Sequence, residues 1–310
     1  SFRYLSVEEG GFCRPLFLTV FCWVARVTVT QILWLASYPK SGNTWLRAFL
    51  ANYLSDSRQP VDINTLPEFS YSDIRTSYYE QVSGKAIADL EPAEVNRLRP
   101  RVHRLLAAAR PGVVFVKTHS MLTRIDGVPT ITPEVTRGAV YVVRNPLDAG
   151  VSFGHHYGLP MENVSRALCF SGLKTVPQPD TVTQFLSDWS NHLKSWLNTT
   201  GLPRKVIRYE DMVASPDKTF GEVIDFLDMP KDRDRIKRAI RHSSFKTLAK
   251  QERSSGFVEQ SNKSEAFFRR GVVGGWRNEL SDEQAEHMIR HHREMMMEMG
   301  YLSAKDELLV

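Results

Sequence analysis

The sequence predicts an α/β fold: a single domain with a mainly parallel central sheet flanked by helices, carrying a P-loop-like phosphate-binding loop. Three observations predict it. Short apolar runs alternate along the chain with segments whose apolar residues recur at helical spacing. The runs read as continuous apolar stretches, as strands covered on both faces do. Several of them end in a cation, and open parallel sheets bind ligands beyond the carboxyl ends of their strands. No internal repeat or interdomain linker divides the chain, so residues 31–310 are taken as one domain and 1–30 as an N-terminal extension whose structure the sequence leaves open.

In that extension, Pro15 to Ala25 (PLFLTVFCWVA) is apolar and is closed by Arg14 and Arg26. A membrane span needs about 20 such residues. Glu8 and Glu9 precede the run and no small-residue cleavage site follows, unlike a signal peptide. The run leads directly into the first strand. It reads as an extra strand or a packed extension, and no membrane span is expected.

Ile32 to Ala36 is the first buried strand, and Trp45, Leu46, Phe49, Leu50, Tyr53 and Leu54 then mark a helix. Val113 to Val116 is a second strand, ending in Lys117-Thr118-His119. Ala139 to Val143 is a third, ending in Arg144-Asn145-Pro146. Lys205 to Tyr209 is a fourth. Helical patterns fill 181–198 and 216–228, the latter with Ser215 as N-cap and Pro216 at the first helical position. A last helix runs from Asp282 to about Met299, capped by Ser281 and stopped at Gly300. The basic segment 97–110 reads as the solvated face of a helix, and 250–266 as a mobile polar loop.

Composition narrows the function. The 310 residues are 42% hydrophobic and 24% charged, which is ordinary for a globular domain. The net charge of +5 and pI of about 9.1 suit anionic ligands. The three cysteines, Cys13, Cys22 and Cys169, have no metal or disulfide spacing. They point to a reducing compartment, hence a cytoplasmic protein. His155-His156 and His291-His292 are not expected to hold a metal, because adjacent histidines on a helix point apart.

The loop in SYPKSGNTW (37–45) joins a strand to a helix start, where free N–H groups and the helix dipole favour an anion. Gly42 permits close backbone approach, while Lys40, Ser41 and Thr44 add donors. The loop is neither G-x-x-x-x-G-K-[ST] nor G-x-G-x-x-G, so it belongs to neither the usual nucleoside triphosphate nor the dinucleotide motif. No carboxylate cluster suited to magnesium accompanies it.

YPKSGNTW (38–45) resembles the 5′-phosphosulfate loop of the sulfotransferases that use 3′-phosphoadenosine 5′-phosphosulfate (PAPS). YVVRNPLDAGVSFGHHY (141–157) resembles their 3′-phosphate motif, KTH (117–119) the segment with their catalytic histidine, and RYEDM (208–212) a strand whose tyrosine lies near the nucleotide. FFRRGVVGGWRN (267–278) resembles the segment that closes over the 3′-phosphate. The motifs occur in the family's order across roughly residues 32–300.

The resemblance implies a role for each matching residue. Lys40 would meet the bridging oxygen between phosphate and sulfuryl group, and Ser41, Gly42, Asn43 and Thr44 would hold the 5′-phosphate. Trp45 would stack on adenine, with Tyr209, Ser243, Ser244 and Phe245 nearby. Arg144 and Ser152 would bind the 3′-phosphate with Arg269, Arg270 and the Gly271 backbone. His119 would be the base, Lys117 would stabilise the sulfuryl oxygens, and Ser152 would hold Lys40 away until an acceptor arrives. The expected products are a sulfated acceptor and adenosine 3′,5′-bisphosphate, without a metal. Asn43, Arg270 and Ser120-Met121 depart from the commonest family residues.

The acceptor implied is a small, apolar or aromatic molecule with a hydroxyl or amine. Phe69, Tyr71, Tyr78, Tyr79, Phe153, Tyr157 and Phe170 are the aromatic candidates for its pocket. Two other classes compete. A non-catalytic polyanion or nucleic-acid binder would scatter its cations rather than fix one in a strand–helix loop, so no nucleic acid is expected. Another nucleotide-dependent transferase would need metal ligands. RNELSDEQAE (277–286) stands where many animal cytosolic members carry the dimer signature Lys-x-x-x-Thr-Val-x-x-x-Glu. Ser281-Asp282 replaces the Thr-Val pair and reads as a helix start, so that dimer is not expected.

Overall fold

The computed structural model describes residues 30–309. The readings made for the apolar N-terminal run, Cys13 and Cys22 lie outside the described residues. The elements that position the site are β1 (Gln31–Ser37), α1 (Asn43–Ser55), β2 (Tyr71–Ser72), α2 (Pro92–Ala107), β3 (Val113–Thr118), a small hairpin of β4 (Arg124–Ile125) and β5 (Val128–Pro129), and β6 (Thr136–Val143). These are followed by α3 (Pro146–Tyr157), α4 (Trp189–Leu197), β7 (Arg204–Arg208), α5 (Pro216–Phe226), α6 (Phe245–Ser255) and α7 (Asp282–Glu298).

The main sheet has five strands in the order β2-β3-β1-β6-β7, and every pairing is parallel. The alternation of the strands divides the core. Ile32, Trp34 and Ala36 of β1 join Ala139, Tyr141 and Val143 of β6 on one face. Leu33 and Leu35 join Val140 and Val142 on the other. Both faces are apolar and covered, as a parallel sheet requires. From β1 the chain first builds β2 and β3 on one side and later β6 and β7 on the other. The strand order therefore reverses at β1, the place where such sheets open a ligand crevice.

The four predicted strands are present, with one shift. The fourth ends at Arg208, and Tyr209 opens the next helix, Tyr209–Ala214. The last helix begins as predicted: Ser281 caps α7 in a reciprocal capping box with Gln284, and Gly300 follows at φ 69. Pro216 stands at the start of α5, although the Ser215 side chain makes no cap bond.

Three expectations are corrected. Residues 181–188 are not helical. Thr181 and Phe185 form antiparallel bridges with Gln178 and Lys174, and Asp188 caps α4 instead. Val182 and Leu186 are four apart and both buried, but the Val182 N–H is taken by the Ile74 carbonyl, so their spacing imitates a helix without one. The segment 97–110 is not merely a solvated face, because Arg99 and His103 of α2 are buried beside the Asp73 carboxylate. Residues 250–255 belong to α6, and the loop after it is pinned to the interior through Glu259.

Buried histidines make a prediction about acid stability. Burial lowers the pKa of His103, His119, His156, His192 and His292, taking His119, His156 and His292 from 6.5 to about 3 and His192 to about 4. The unfolded chain takes up these protons near pH 6.5, whereas in the folded chain His119, His156, His192 and His292 resist until about pH 3 to 4, and His103 is held down in the same sense. Their contribution is thus complete above about pH 6.5 and is lost as pH falls. Each adds a slope of at most about 1.4 kcal/mol per pH unit. Asp73, raised by burial to about 6, works in the opposite sense between its unfolded and folded values. The melting temperature should fall continuously between about pH 6.5 and 4; calorimetry giving a flat profile there would contradict the neutral histidines.

Candidate active site

The crevice at the carboxyl ends of β1, β3 and β6 opens into a cavity of about 920 Å³. Its charged lining includes Lys40, Lys117, His119, Arg144, His156 and Glu259. Trp45, Tyr209 and Phe245 line it too, as do Phe153, Tyr157, Leu159, Leu173 and Leu186.

After β1, Lys40 takes a left-handed backbone at φ 64 and Gly42 another at φ 109, which turns the chain into α1 within a few residues. A Cβ on Gly42 would meet the Tyr209 ring at 2.7 Å, so glycine is required twice there, by dihedral and by space. No side chain caps α1. The Asn43 amide instead donates to the Leu35 carbonyl at 2.8 Å, tying the helix back to its own strand. Asn43 thus offers an anion its backbone N–H more readily than its amide. Ser41 Oγ and Arg144 Nε are buried without a hydrogen-bond partner among the described residues. Buried donors of that kind fit an anion.

Arg144 follows β6. Its guanidinium donates to the carbonyls of Lys40, at 3.2 Å, and Val272, at 3.0 Å, and lies 4.2 Å from the centre of the Tyr209 ring. Asn145 caps α3 by accepting from the Leu147 N–H, and Ser152, two turns on, lines the cavity. Asp148 on the same helix accepts from the backbone N–H groups of Gly274, at 2.7 Å, and Trp276, at 3.0 Å. It thereby fixes the end of the segment 267–278, a role the sequence reading missed. Trp276 belongs to the core.

His119 stands just past β3. Its Nδ1 lies 2.9 Å from the Ser37 carbonyl, an acceptor that fixes the proton on Nδ1 and leaves the lone pair on Nε2. His192 Nε2 donates to the His119 carbonyl at 3.0 Å, and Tyr141 Oη donates to His192 Nδ1 at 2.8 Å, so the backbone at His119 is held as well. Burial, then Lys117, pushes the His119 pKa down to about 3, and the ring is neutral at ordinary pH. Lys117 Nζ is bonded to Glu259 at 2.9 Å.

Lys40 differs from the expectation. No bond to Ser152 is found among the described residues. The ammonium sits 3.7 Å above the Phe267 ring and 3.5 Å from His156 Nδ1, one helical turn beyond Ser152. Burial, followed by Lys117 and Arg144, lowers the Lys40 pKa to about 7.

Other expected residues fall in varied places. Thr44 and Ser244 line the cavity, and Ser244 caps α6 through the Thr247 N–H. Ser243 does not line it; its hydroxyl is buried against the Ala239 carbonyl. Arg269 and Arg270 both pair with Glu279 rather than lining the cavity. Gly271 lines it at φ 64, and a Cβ there would lie 2.3 Å from Phe245. Of the aromatic candidates, Phe153 and Tyr157 line the cavity, while Phe69, Tyr71, Tyr78, Tyr79 and Phe170 do not. Phe69 stacks on Phe115 and Tyr79 is buried, both as core, whereas Phe170 is exposed.

The rings of His291 and His292 do not point apart; their centres are 4.8 Å from one another. With Asp188 they bring donor atoms within 4.8 Å. Asp188 already caps α4 and His292 Nδ1 is bonded to Ser190.

Comparison with known proteins gives one family. Residues 31–300 match the sulfotransferase domain. The chain is similar to mouse sulfotransferase 1B1, at 25% identity over 84% of this chain and 81% of that protein. It is also similar to cytosolic sulfotransferase 12 of Arabidopsis thaliana, at 24% over 83% and 74%. Among solved structures, retinol dehydratase in complex with androsterone and the inactive cofactor PAP superposes with a TM-score of 0.60 and 20% identity, covering 88% of this chain and 83% of that one. A mouse sulfotransferase, SULT7A1, complexed with PAP gives 0.56 and 20%, covering 90% of each. With the domain matched over most of its length and the loop 38–45, His119 and Arg144 set at the ends of adjacent parallel strands, this chain belongs to the sulfotransferase family.

Proposed function

We propose that this protein moves the sulfuryl group of PAPS to a hydroxyl, or an amine, of a small apolar or aromatic acceptor, by in-line transfer with His119 as base. The observation that carries the reading is the His119 ring, whose Nδ1 is committed to Ser37 so that Nε2 is the basic atom, in one cavity with Lys40 and Lys117. The acceptor oxygen loses its proton to Nε2 and forms a bond to sulfur. The bond from sulfur to the 5′-phosphate oxygen breaks, and that oxygen keeps the electron pair. Lys40 meets its growing charge, and Lys117 meets the sulfuryl oxygens. Little covalent assistance is needed when position and fixed charge supply the catalysis.

Trp45, whose ring lies 5.7 Å from that of Tyr209, and Phe245 line the cavity and suit adenine, with Arg144 and the Gly271 segment at the 3′-phosphate. Ile74, Phe153, Tyr157, Leu159, Leu173 and Leu186 also line the cavity, which suits an apolar acceptor. Solved relatives that hold retinol or androsterone with PAP support that class. We place the protein in the cytoplasm and expect no nucleic-acid partner. No helix among the described residues is long and apolar enough to cross a membrane. Residues 281–284 are the capped start of α7, and a Thr-Val-type dimer contact there would have to open that cap.

The test has two parts. Adenosine 3′,5′-bisphosphate at about 100 times its dissociation constant should stabilise the fold by about 2.7 kcal/mol, with ATP and magnesium far behind. An acceptor screen with PAPS, read by mass, should show the added sulfuryl group. Stronger stabilisation by ATP and magnesium, with no sulfated product from any acceptor, would remove the reading.

A further inference from the structure

Glu259 is a loop residue between α6 and Arg269, yet its carboxylate reaches the interior, with its side chain 13% exposed. Oε1 accepts from Arg47 Nη2 at 2.7 Å and Oε2 from Arg47 Nη1 at 2.8 Å, a two-pronged pair of fixed orientation. Oε2 also accepts from Lys117 Nζ at 2.9 Å. Arg47, on α1, is fully buried and its Nε donates to Ser70 Oγ at 2.7 Å. The carboxylate is therefore immobilised from α1 before it meets Lys117. A buried ion pair of this kind is a poor device for stability, since apolar packing of the same volume does as well or better. Its direction towards Lys117 calls for another account.

We propose that Glu259 is a positioning residue for the transfer: it aims the Lys117 ammonium at the sulfuryl site, and does so only while the segment 257–271 lies over the cavity. The inference rests on the sulfotransferase reading above. The segment touches both lysines, since Phe267 covers the Lys40 ammonium while Glu259 holds Lys117. Its backbone is set by Glu252 of α6, which accepts from the N–H groups of Phe267, at 2.6 Å, and Phe268, at 3.0 Å. Arg269, Arg270 and Gly271 follow in the same segment. Closure over the 3′-phosphate thus also delivers the carboxylate that makes Lys117 competent some way from that phosphate.

The charges around Lys117 explain why it needs this partner. Arg47 faces it from α1, Arg75 from the loop after β2 and Lys40 from the loop after β1, while His119, just past β3, and His156, on α3, are neutral. Asp73, the other nearby carboxylate, is bonded to Thr118 and paired with Arg99. Burial lowers the pKa of Lys117, and Glu259 is the first influence that opposes it. Without the Glu259 charge, Lys117 loses its proton at a lower pH.

The test measures kcat against pH for the whole protein with PAPS and an acceptor, in wild type, Glu259→Gln and Glu259→Asp. In Glu259→Gln the basic limb should move down by about one pH unit or more, so that turnover is about tenfold lower at alkaline pH than the wild-type profile scaled to its acidic side. Glu259→Asp keeps the charge but shortens the reach. Its kcat should fall about tenfold with the basic limb in place. Bisphosphate stabilisation checks that each variant folds. If Glu259→Gln does not bind the bisphosphate, Glu259→Asp decides, and a shifted basic limb there overturns the proposal. Superimposable profiles for wild type and Glu259→Gln, with bisphosphate binding intact, also overturn it. A second readout separates this inference from the enzyme reading. Acetic anhydride labelling of Lys117, followed by mass spectrometry across pH, should reach half-maximum at a lower pH in Glu259→Gln whether or not sulfuryl transfer is seen. An unchanged labelling profile counts against Glu259, whereas absence of transfer by wild type counts against the enzyme reading alone.

Discussion

Replacing His119 with alanine should lower turnover by about 10²-fold or more, while adenosine 3′,5′-bisphosphate continues to stabilise the protein as it does the wild type. The expectation follows from how the ring is held. Its Nδ1 is committed to the Ser37 carbonyl, which leaves the lone pair of Nε2 for the proposed role as base. The ring is neutral because burial and Lys117 depress its pKa to about 3. A neutral imidazole is ready to accept a proton at any pH above about 4, although a pKa so low makes it a weak base. The incoming nucleotide and its negative charge raise that pKa, and so strengthen the base when the donor is in place. The acidic limb of kcat should accordingly lie at higher pH than the limb of kcat/KM for the first substrate to bind. Single-turnover measurement with saturating PAPS separates the chemical step from product release. Turnover of the alanine variant within a few-fold of wild type would remove His119 from the role.

Much of this site was legible because its signals are local. An apolar run, a turn and a cation lie within about ten residues at Lys40, at Lys117 and at Arg144, and the parallel pairing of β1 with β3 and β6 then brings the three together. The partners of these cations were not legible. Glu259 meets Arg47 across 212 residues of sequence and Lys117 across 142, and nothing near Glu259 marks it as other than a loop acid. The same holds for Phe267 against Lys40 and for Glu279 against Arg269 and Arg270. Composition was a poor guide to the acceptor lining. Phe69 and Tyr79 are aromatic residues in the expected stretch, but one stacks on Phe115 and the other donates from its hydroxyl to the Asp73 carbonyl. Adjacent histidines misled for another reason. His291 is exposed and His292 buried, as helical geometry demands, yet both rings turn towards the start of α4.

The remaining large effect concerns the two ends of the nucleotide. Lys40→Ala should reduce kcat by about 10²- to 10³-fold, as loss of one donor at a site of developing charge does, with a much smaller loss of bisphosphate affinity. The contact strengthens as the leaving oxygen becomes charged, so its removal is felt in the transition state more than in binding. Arg144→Ala should do the reverse, weakening the bisphosphate by about ten- to a hundredfold, the range of a lost charged hydrogen bond. Arg144 also supports the Lys40 carbonyl at 3.2 Å, so a general loosening of the loop has to be told apart from a lost phosphate contact. Comparing adenosine 3′,5′-bisphosphate with adenosine 5′-monophosphate does this. If Arg144 meets the 3′-phosphate, the variant loses the preference between the two nucleotides and binds the monophosphate as the wild type does. If it only props up the loop, both nucleotides weaken together and the preference survives. Lys40 brings its own check in pH. Its pKa of about 7 reflects burial first, then Lys117 and Arg144, so the empty protein sheds this charge as pH rises through neutrality. Bisphosphate binding beside Lys40 should restore the proton. Titration calorimetry near pH 7.5 in buffers of different ionisation enthalpy should therefore report proton uptake in the wild type, and that uptake should vanish in Lys40→Ala. Equal uptake in the two proteins would place the proton elsewhere and detach Lys40 from the phosphate.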